Sequence, residues 1–399
     1  TDYKADQILM KGTSLGGSSQ FPDKEILNIS QINSVAMVGG IGNFSKVDLS
    51  KALAGKRASV GAGVSATTET VSGSCSPKDF ETMMQLTYLT FTAPRKDNEA
   101  FESYKNRMKA ELQNADANPM TAFSDTVSYA LYGNHPRSFS MKENMVDKID
   151  YDRVMEMYKD RFKDASDFTF YFVGNIDVEK MKPMIAKYLG GLPSINRKET
   201  FKDTKMEIRK GQYRTSLPRN KKHRWQPSCS CSTVLANMIY ATTLLSASSI
   251  RHWIWFTPQK SVRKKGGTYG VSCSGSLTKY PKEQLVLQIV FQTDPAKKDK
   301  LSGIVIEQLE KNGQRRSVLP NTCRDQRVYA EKYKDAQKEN GYWLGNLDEY
   351  FYTGIDYTKD YETLVNSITA KDVQEFLAKL MKQNNEIQVI MTVPEEEAK

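Results

Sequence analysis

Histidine is scarce in this chain: His135, His223 and His252 are the three among its 399 residues. A catalytic zinc takes three protein ligands and a water, with His and carboxylate at helical spacing. Neither H-E-x-x-H nor H-x-x-E-H occurs. His135, in Gly133-Asn134-His135-Pro136-Arg137, has no second His or Glu at helical spacing, so a loop or capping role is expected of it. Cys229 and Cys231 are one residue apart, too close for a zinc knuckle. The five Cys, an odd number in a long chain, do not form a disulfide framework. A Ser or Cys nucleophile needs a base such as His, and only three His are available. Gly266-Gly267-Thr268-Tyr269-Gly270 is glycine-rich, but no Lys-Ser/Thr pair follows it as in a phosphate loop. By this inventory the chain alone holds neither a complete active site nor a metal or other cofactor.

The elements that would position these residues alternate between strand and helix signals. Gln7–Gly12 reads as a strand, Lys24–Val38 and Lys46–Leu53 as helices, and Ala62–Cys75 as a strand or hairpin of alternating Ser/Thr and apolar residues. Ser76-Pro77 opens a helix to Phe91, with Ser76 as its N-cap and Pro77 in the first turn. Asn98–Gln113, Pro119–Tyr132, Val146–Phe162 and Asp177–Leu189 have helical periodicity, and Phe168–Val173 is a buried strand closed by Gly174-Asn175. The second half repeats this ending. Asp150–Val154 aligns with Thr369–Val373, and at the same offset Phe168–Gly174 falls on Ile387–Val393. The helix over Ala330–Lys338 is a rough counterpart of Asn98–Gln113. A duplicated unit of helices on a mainly antiparallel sheet follows, an α+β fold. Its two domains are expected at 1–200 and 206–399, joined by the polar linker Asn196–Lys205.

The charge balance, 57 Lys/Arg against 47 Asp/Glu, gives a net +10. Residues 213–265 hold ten Lys/Arg and no acid, so the rest of the chain is neutral. The same stretch contains Trp225, Trp253 and Trp255, two of the three His and two of the five Cys. It has no clean helical or strand period, and Ser228–Thr233 resembles neither. No apolar run reaches the ~18–20 residues of a membrane span. Thr1-Asp2-Tyr3-Lys4 carries neither an initiator Met nor an apolar leader, which leaves mature secreted protein, truncated form and proteolytic fragment as readings.

Several strings, in this order, resemble the pitrilysin/insulinase zinc metallopeptidases, the inverzincins. They are Asn134-His135-Pro136, the helix end Tyr158–Phe162, the strand and turn Tyr171–Asp177, and Gly266–Val271. The resemblance implies two tandem α/β roll domains, each a mainly antiparallel sheet with helices packed on one face. The missing H-x-x-E-H implies the C-terminal, zinc-free half of such an enzyme. Zinc and general base would then sit in a catalytic N-terminal half or partner subunit. This half would supply chamber wall and contacts to peptide substrates. The family places an Arg and a Tyr near the Gly-Gly-Thr-Tyr-Gly turn. Tyr269 matches by position, whereas Arg263 stands six residues before it and the family pattern has seven. A cation and a phenol there can hydrogen-bond a peptide carbonyl as it gains oxyanion charge. Bacterial relatives are often exported, so the periplasm or cell envelope is the compartment the resemblance suggests.

A shifted reading frame accounts for both the one-residue misfit and the odd composition of 213–265. If each true codon spans the last base of one codon and the first two of the next, Trp225-Gln226 forces Ala, Trp253-Ile254 forces Asp and Trp255-Phe256 forces Val. Lys260–Gly267 becomes compatible with V-R-E-K-E-G-G, which restores acidic residues and puts an Arg seven residues before Tyr269. A similar disturbance covers about 314–330, where Arg315, Arg316 and Pro320 interrupt an expected helix. Two other functions compete with the peptidase half. One is a non-enzymatic peptide-binding or assembly scaffold of the same fold. The other is a basic nucleic-acid binder acting through 213–265, which ranks last because its charge vanishes if the frame is shifted.

Overall fold

The computed structural model describes residues 3–116, 118–218, 229–237, 271–314 and 330–392. Strand β1 (Ile8–Leu15) pairs antiparallel with β3 (Thr68–Cys75) on one side and β4 (Thr169–Gly174) on the other, and β2 (Ala58–Val64) closes the hairpin with β3. The resulting sheet has the order β2-β3-β1-β4. The second sheet contains β5 (Gln212–Pro218), β6 (Cys229–Asn237), β7 (Val271–Thr278), β8 (Gln284–Thr293) and β9 (Glu386–Thr392) in the order β5-β9-β6-β8-β7. Read from its far edge, β7-β8-β6-β9 repeats the first sheet strand for strand, with every pairing again antiparallel. β5 is the addition, parallel to β9. The duplication expected from the sequence is thus present as one sheet topology used twice.

The run Cys229–Thr233, which resembles neither helix nor strand by composition, lies in β6 and is paired along both edges from Ser230 onward. Two neighbouring ladders satisfy its backbone, and that requirement overrides the weak preference of small Ser and Cys side chains. The remainder of the basic stretch 213–265, from Arg219 to Ser228 and beyond Asn237, lies outside the described residues.

The helices start where local capping chemistry places them. α1 (Ile26–Ile29) and α2 (Ile32–Val35) replace the single helix expected over Lys24–Val38, and α3 (Lys46–Ala52) is capped by Ser45, whose side chain accepts from the Asp48 N–H. α4 (Phe80–Thr92) follows a short 3-10 turn at Pro77–Asp79. The Ser76 hydroxyl donates to the Asp79 carboxylate at 2.6 Å instead of capping a backbone N–H. α5 (Asn98–Asp116), α6 (Pro119–Tyr132) and α8 (Val178–Tyr188) keep to their expected positions, whereas α7 (Tyr151–Phe162) starts after the expected Val146, which lies in a 3-10 turn at Glu143–Lys148. In the second half α9 (Lys298–Gln314), α10 (Asn340–Thr353), α11 (Tyr361–Ser367) and α12 (Ala370–Lys382) follow. α7 and α12 begin at equivalent caps: Asp150 accepts from the Arg153 N–H, and Thr369 forms a capping box with Asp372. None of the described helices is long and apolar enough to cross a membrane.

The chain divides into two compact units that are not contiguous in sequence. The first contains Thr1–Gln113, Met141–Lys205 and Tyr333–Thr358; the second contains Asn114–Ser140, Met206–Lys332 and Lys359–Lys399. α10 therefore belongs to the first unit and α6 to the second, although each lies in the other half of the chain. In the first unit Ile8, Met10, Val71 and Phe172 turn to one face and join the core with α4 and α7. On the opposite face, Lys11 and Thr13 meet Asp348 of α10. In the second unit Leu287, Ile289 and Ile390 pack with Leu301, Val305 and Leu380 of α9 and α12. Ile387, Val389 and Met391 turn the other way, onto Phe123, Val127 and Ala130 of α6. Each sheet is thus covered by helices of its own half on one face and by a helix from the other half on the other.

Candidate functional site

Arg263, Tyr269 and the Gly266–Gly270 turn lie outside the described residues. The element that follows them is placed: β7 starts at Val271, whose side chain is buried in the second core, and runs along the sheet edge paired to β8. His135 takes the capping role expected of it. It precedes a 3-10 turn at Pro136–Ser138, and its Nδ1 accepts the Arg137 N–H at 3.2 Å. Among the described residues no group of three or more His, Cys, Asp and Glu stands together so as to hold a metal ion.

The densest charged cluster involves residues that carry no sequence motif. Glu69, near the start of the inner strand β3, is 0% exposed, and Arg161, on α7, is 3% exposed. Arg161 donates to Glu69 Oε1 at 3.2 Å and to Glu199 Oε2 at 2.9 Å, also bonds Asp160, and lies over the Phe21 ring. Glu69 Oε1 further accepts the Gly17 N–H at 2.8 Å. That contact needs the backbone of Gly16 and Gly17, both at positive φ. A Cβ on Gly16 would come 2.9 Å from the Arg161 guanidinium, and one on Gly17 would come 2.6 Å from the Ala66 backbone. Burial pushes the Glu69 carboxyl up to about 7 against the pull of Arg161 and the Gly17 N–H.

Periodicity could have found both residues. Glu69 is in phase with Val71 and Cys75 on a buried strand face, and Arg161 is in phase with Val154, Met157 and Tyr158 on a buried helix stripe. A charge on an apolar face needs a buried counter-charge.

The cluster fastens the expected linker to the first unit. Asn196–Lys205 has no regular secondary structure, yet its backbone is held. Asp164, fully buried, accepts from the Ser166 N–H and hydroxyl and from the N–H groups of Ile195 and Arg197 at 2.5–3.1 Å. Burial alone would raise its pKa, but these hydrogen bonds hold it at about 2. Farther along, Thr200 accepts from Gln20, and the Lys202 N–H bonds the Ser19 hydroxyl. Chemically the cluster is a clamp: its cation is enclosed by carboxylates, and Glu69 Oε1 is met by the Gly17 N–H, while the buried Glu69 Oε2 has no hydrogen-bond partner among the described residues.

Residues 148–315 match the family model described as the peptidase M16 inactive domain. Curated relatives include a "Zinc protease PQQL-like" protein of Arabidopsis thaliana, 30% identical over 194 residues, and a "Probable zinc protease PqqL" of Haemophilus influenzae, 21% identical over 194 residues. These matches span 48% and 49% of the chain but only 18% and 21% of the relatives' own length. Among solved structures, the periplasmic protease PqqL from Escherichia coli superposes with a TM-score of 0.82 at 17% identity, over 98% of this chain and 43% of that one. A peptidase M16 inactive domain from Pseudomonas fluorescens gives 0.75 at 16% identity, over 98% and 93%. Both likenesses are of fold. The family match over 148–315 and the tandem fold shared over nearly the whole length together relate the chain to the pitrilysin/insulinase (M16) zinc metallopeptidases, through their inactive domain.

Proposed function

We propose that the chain works as the C-terminal, non-catalytic half of a zinc metallopeptidase, forming chamber wall and substrate contacts for a half that carries zinc and general base. The observation that carries this reading is the match of 148–315 to an inactive peptidase domain, joined to a fold that covers 43% of a longer protease chain. The ligand inventory agrees, since catalysis by this family's zinc would need the H-x-x-E-H that the sequence lacks. Polypeptide substrates are supported by a second fold relative, the ferredoxin protease FusC, whose mutant was solved in complex with Arabidopsis ferredoxin (TM-score 0.83, 16% identity). Tyr269 would aim its hydroxyl at the scissile carbonyl, with Arg263 or its frame-corrected counterpart beside it.

The test is Tyr269→Phe in the full-length enzyme, with kcat, KM and Tm measured for both forms. Loss of a donor aimed at a developing oxyanion lowers kcat by about 10²–10³, with a smaller change in KM. Tm should hold, because the ring and its packing remain. An unchanged kcat, or a Tm drop large enough to explain the loss, would return Tyr269 to a structural role.

A further inference from the structure

We infer that the outer edge of β2 is a docking edge for an extended polypeptide segment, which adds to the first sheet as a further strand beside Ala58–Val64. β2 ends the sheet order, with β3 as its one partner among the described strands. The alternation of an antiparallel ladder fixes which groups point outward. The Ser65 N–H bonds the Thr68 carbonyl and the Ser76 N–H bonds the Arg57 carbonyl, so the odd-numbered residues of β2 turn their N–H and C=O inward to β3. Those of Ala58, Val60, Ala62 and Val64 therefore point outward.

Val64 identifies what this edge accepts. Its N–H donates to Asn33 Oδ1 at 2.7 Å, and its carbonyl accepts from Asn33 Nδ2 at 3.0 Å. A side-chain amide thus makes the same pair of bonds that a residue of a neighbouring strand would make. One position farther along the ladder the mimic stops. Among the described residues nothing bonds the outward groups of Val60 or Ala62. A second backbone continues the ladder from where the Asn33 amide leaves it.

The edge also lacks the guards that usually keep strands apart. Ala58-Ser59-Val60-Gly61-Ala62-Gly63-Val64 contains no charge, no proline and no long side chain. On its outward face Ser59 and Gly61 are exposed, and a Cβ at Gly61 would meet nothing within 4 Å, so side chains of an incoming strand have room there. Backbone pairing supplies the affinity and tolerates many sequences, provided that the docked residues include no proline facing β2. The inference does not depend on the peptidase reading or on Tyr269.

The test uses the whole chain and a fluorescein-labelled, N-acetylated Thr-Val-Thr-Val-Thr amide as probe. Backbone exchange is followed at single-residue resolution. The amides of Val60 and Ala62 should exchange fast in the free chain and at least tenfold more slowly when the probe is saturating, while those of Ser59 and Gly61 stay slow throughout. Ala62→Pro removes one outward N–H and no bond to β3, so it should weaken the probe at least tenfold with little change in Tm. If that variant fails to fold, the exchange measurement on the unaltered chain decides. Slow exchange at Val60 and Ala62 before any probe is added, including through self-association of the chain, would overturn the inference. So would unchanged exchange under saturating probe.

Discussion

At the residue scale the buried charges carry the strongest consequences. Asp164 is the acceptor for four hydrogen bonds, two from Ser166 and two from the Ile195 and Arg197 N–H groups, which tie the segment after Pro193 to the end of α7. Asp164→Ala leaves buried N–H groups unsatisfied and should cost about 2–4 kcal/mol, read by chemical denaturation. Because its carboxyl is held at about 2, its contribution is present above the ordinary Asp range and is lost as the pH falls from about 4 to 2. Glu69 has the opposite sign. Its carboxyl is raised to about 7, so the stability linked to its protonated form is present below about 4.5 and is lost as the pH rises through 7. Glu69→Gln should therefore flatten the fall in Tm between pH 5 and pH 8. A variant whose Tm falls as steeply as the unaltered chain's would show that Glu69 is ionised throughout that range.

At the element scale the exchange of helices is the feature with most to test. α10 meets the first sheet through Asp348, which accepts from Lys11 Nζ and from Thr13 Oγ1 at 2.5 Å each, and through Phe351, edge-on to Tyr171. Thr13 is 2% exposed. Asp348→Ala strands its hydroxyl and should destabilise by about 1–3 kcal/mol, with faster amide exchange along β1 as the local signature. If β1 exchanged as before, α10 would not be holding that face. A second test sits inside the sheet. Phe170 lies over Gly12, where a Cβ would come within 2.5 Å of its ring. Gly12→Ala must displace that ring and should lower stability by about 1–3 kcal/mol.

At the scale of the whole molecule, two predictions separate the readings of the chain. Purified alone, it should hold no stoichiometric zinc and cleave no peptide; metal analysis finding one tightly bound zinc per chain would end the proposal of a zinc-free half. The shifted frame over 213–265 predicts that a peptide from this segment, cut from the protein expressed from its natural gene, differs in mass from the value the sequence requires. Agreement of the two masses would make the basic segment real. Nucleic-acid binding with a steep salt dependence would then be open to test.

What the sequence determined by itself is what local chemistry decides. Periodicity and capping placed α6, α8 and the strand β4 within a residue or so, because Asp177 and Pro119 bias the first helical turn, whereas periodicity alone started α7 at Val146 and overlooked its cap at Asp150. The register shared by 150–174 and 369–393 revealed the duplication, since equal patterns bury equal faces. The burial of Glu69 and Arg161 was also legible as charges in phase with apolar neighbours, although their pairing was not. Two things needed the tertiary structure. One is the strand Cys229–Asn237, whose small side chains carry little preference until β8 and β9 bond it from both sides. The other is the destination of α6 and α10. An amphipathic helix states that it has a face to bury, but nothing in its sequence says which sheet will cover it; that choice is made by long-range packing, where Asp348 finds Lys11 and Phe123 finds Ile387.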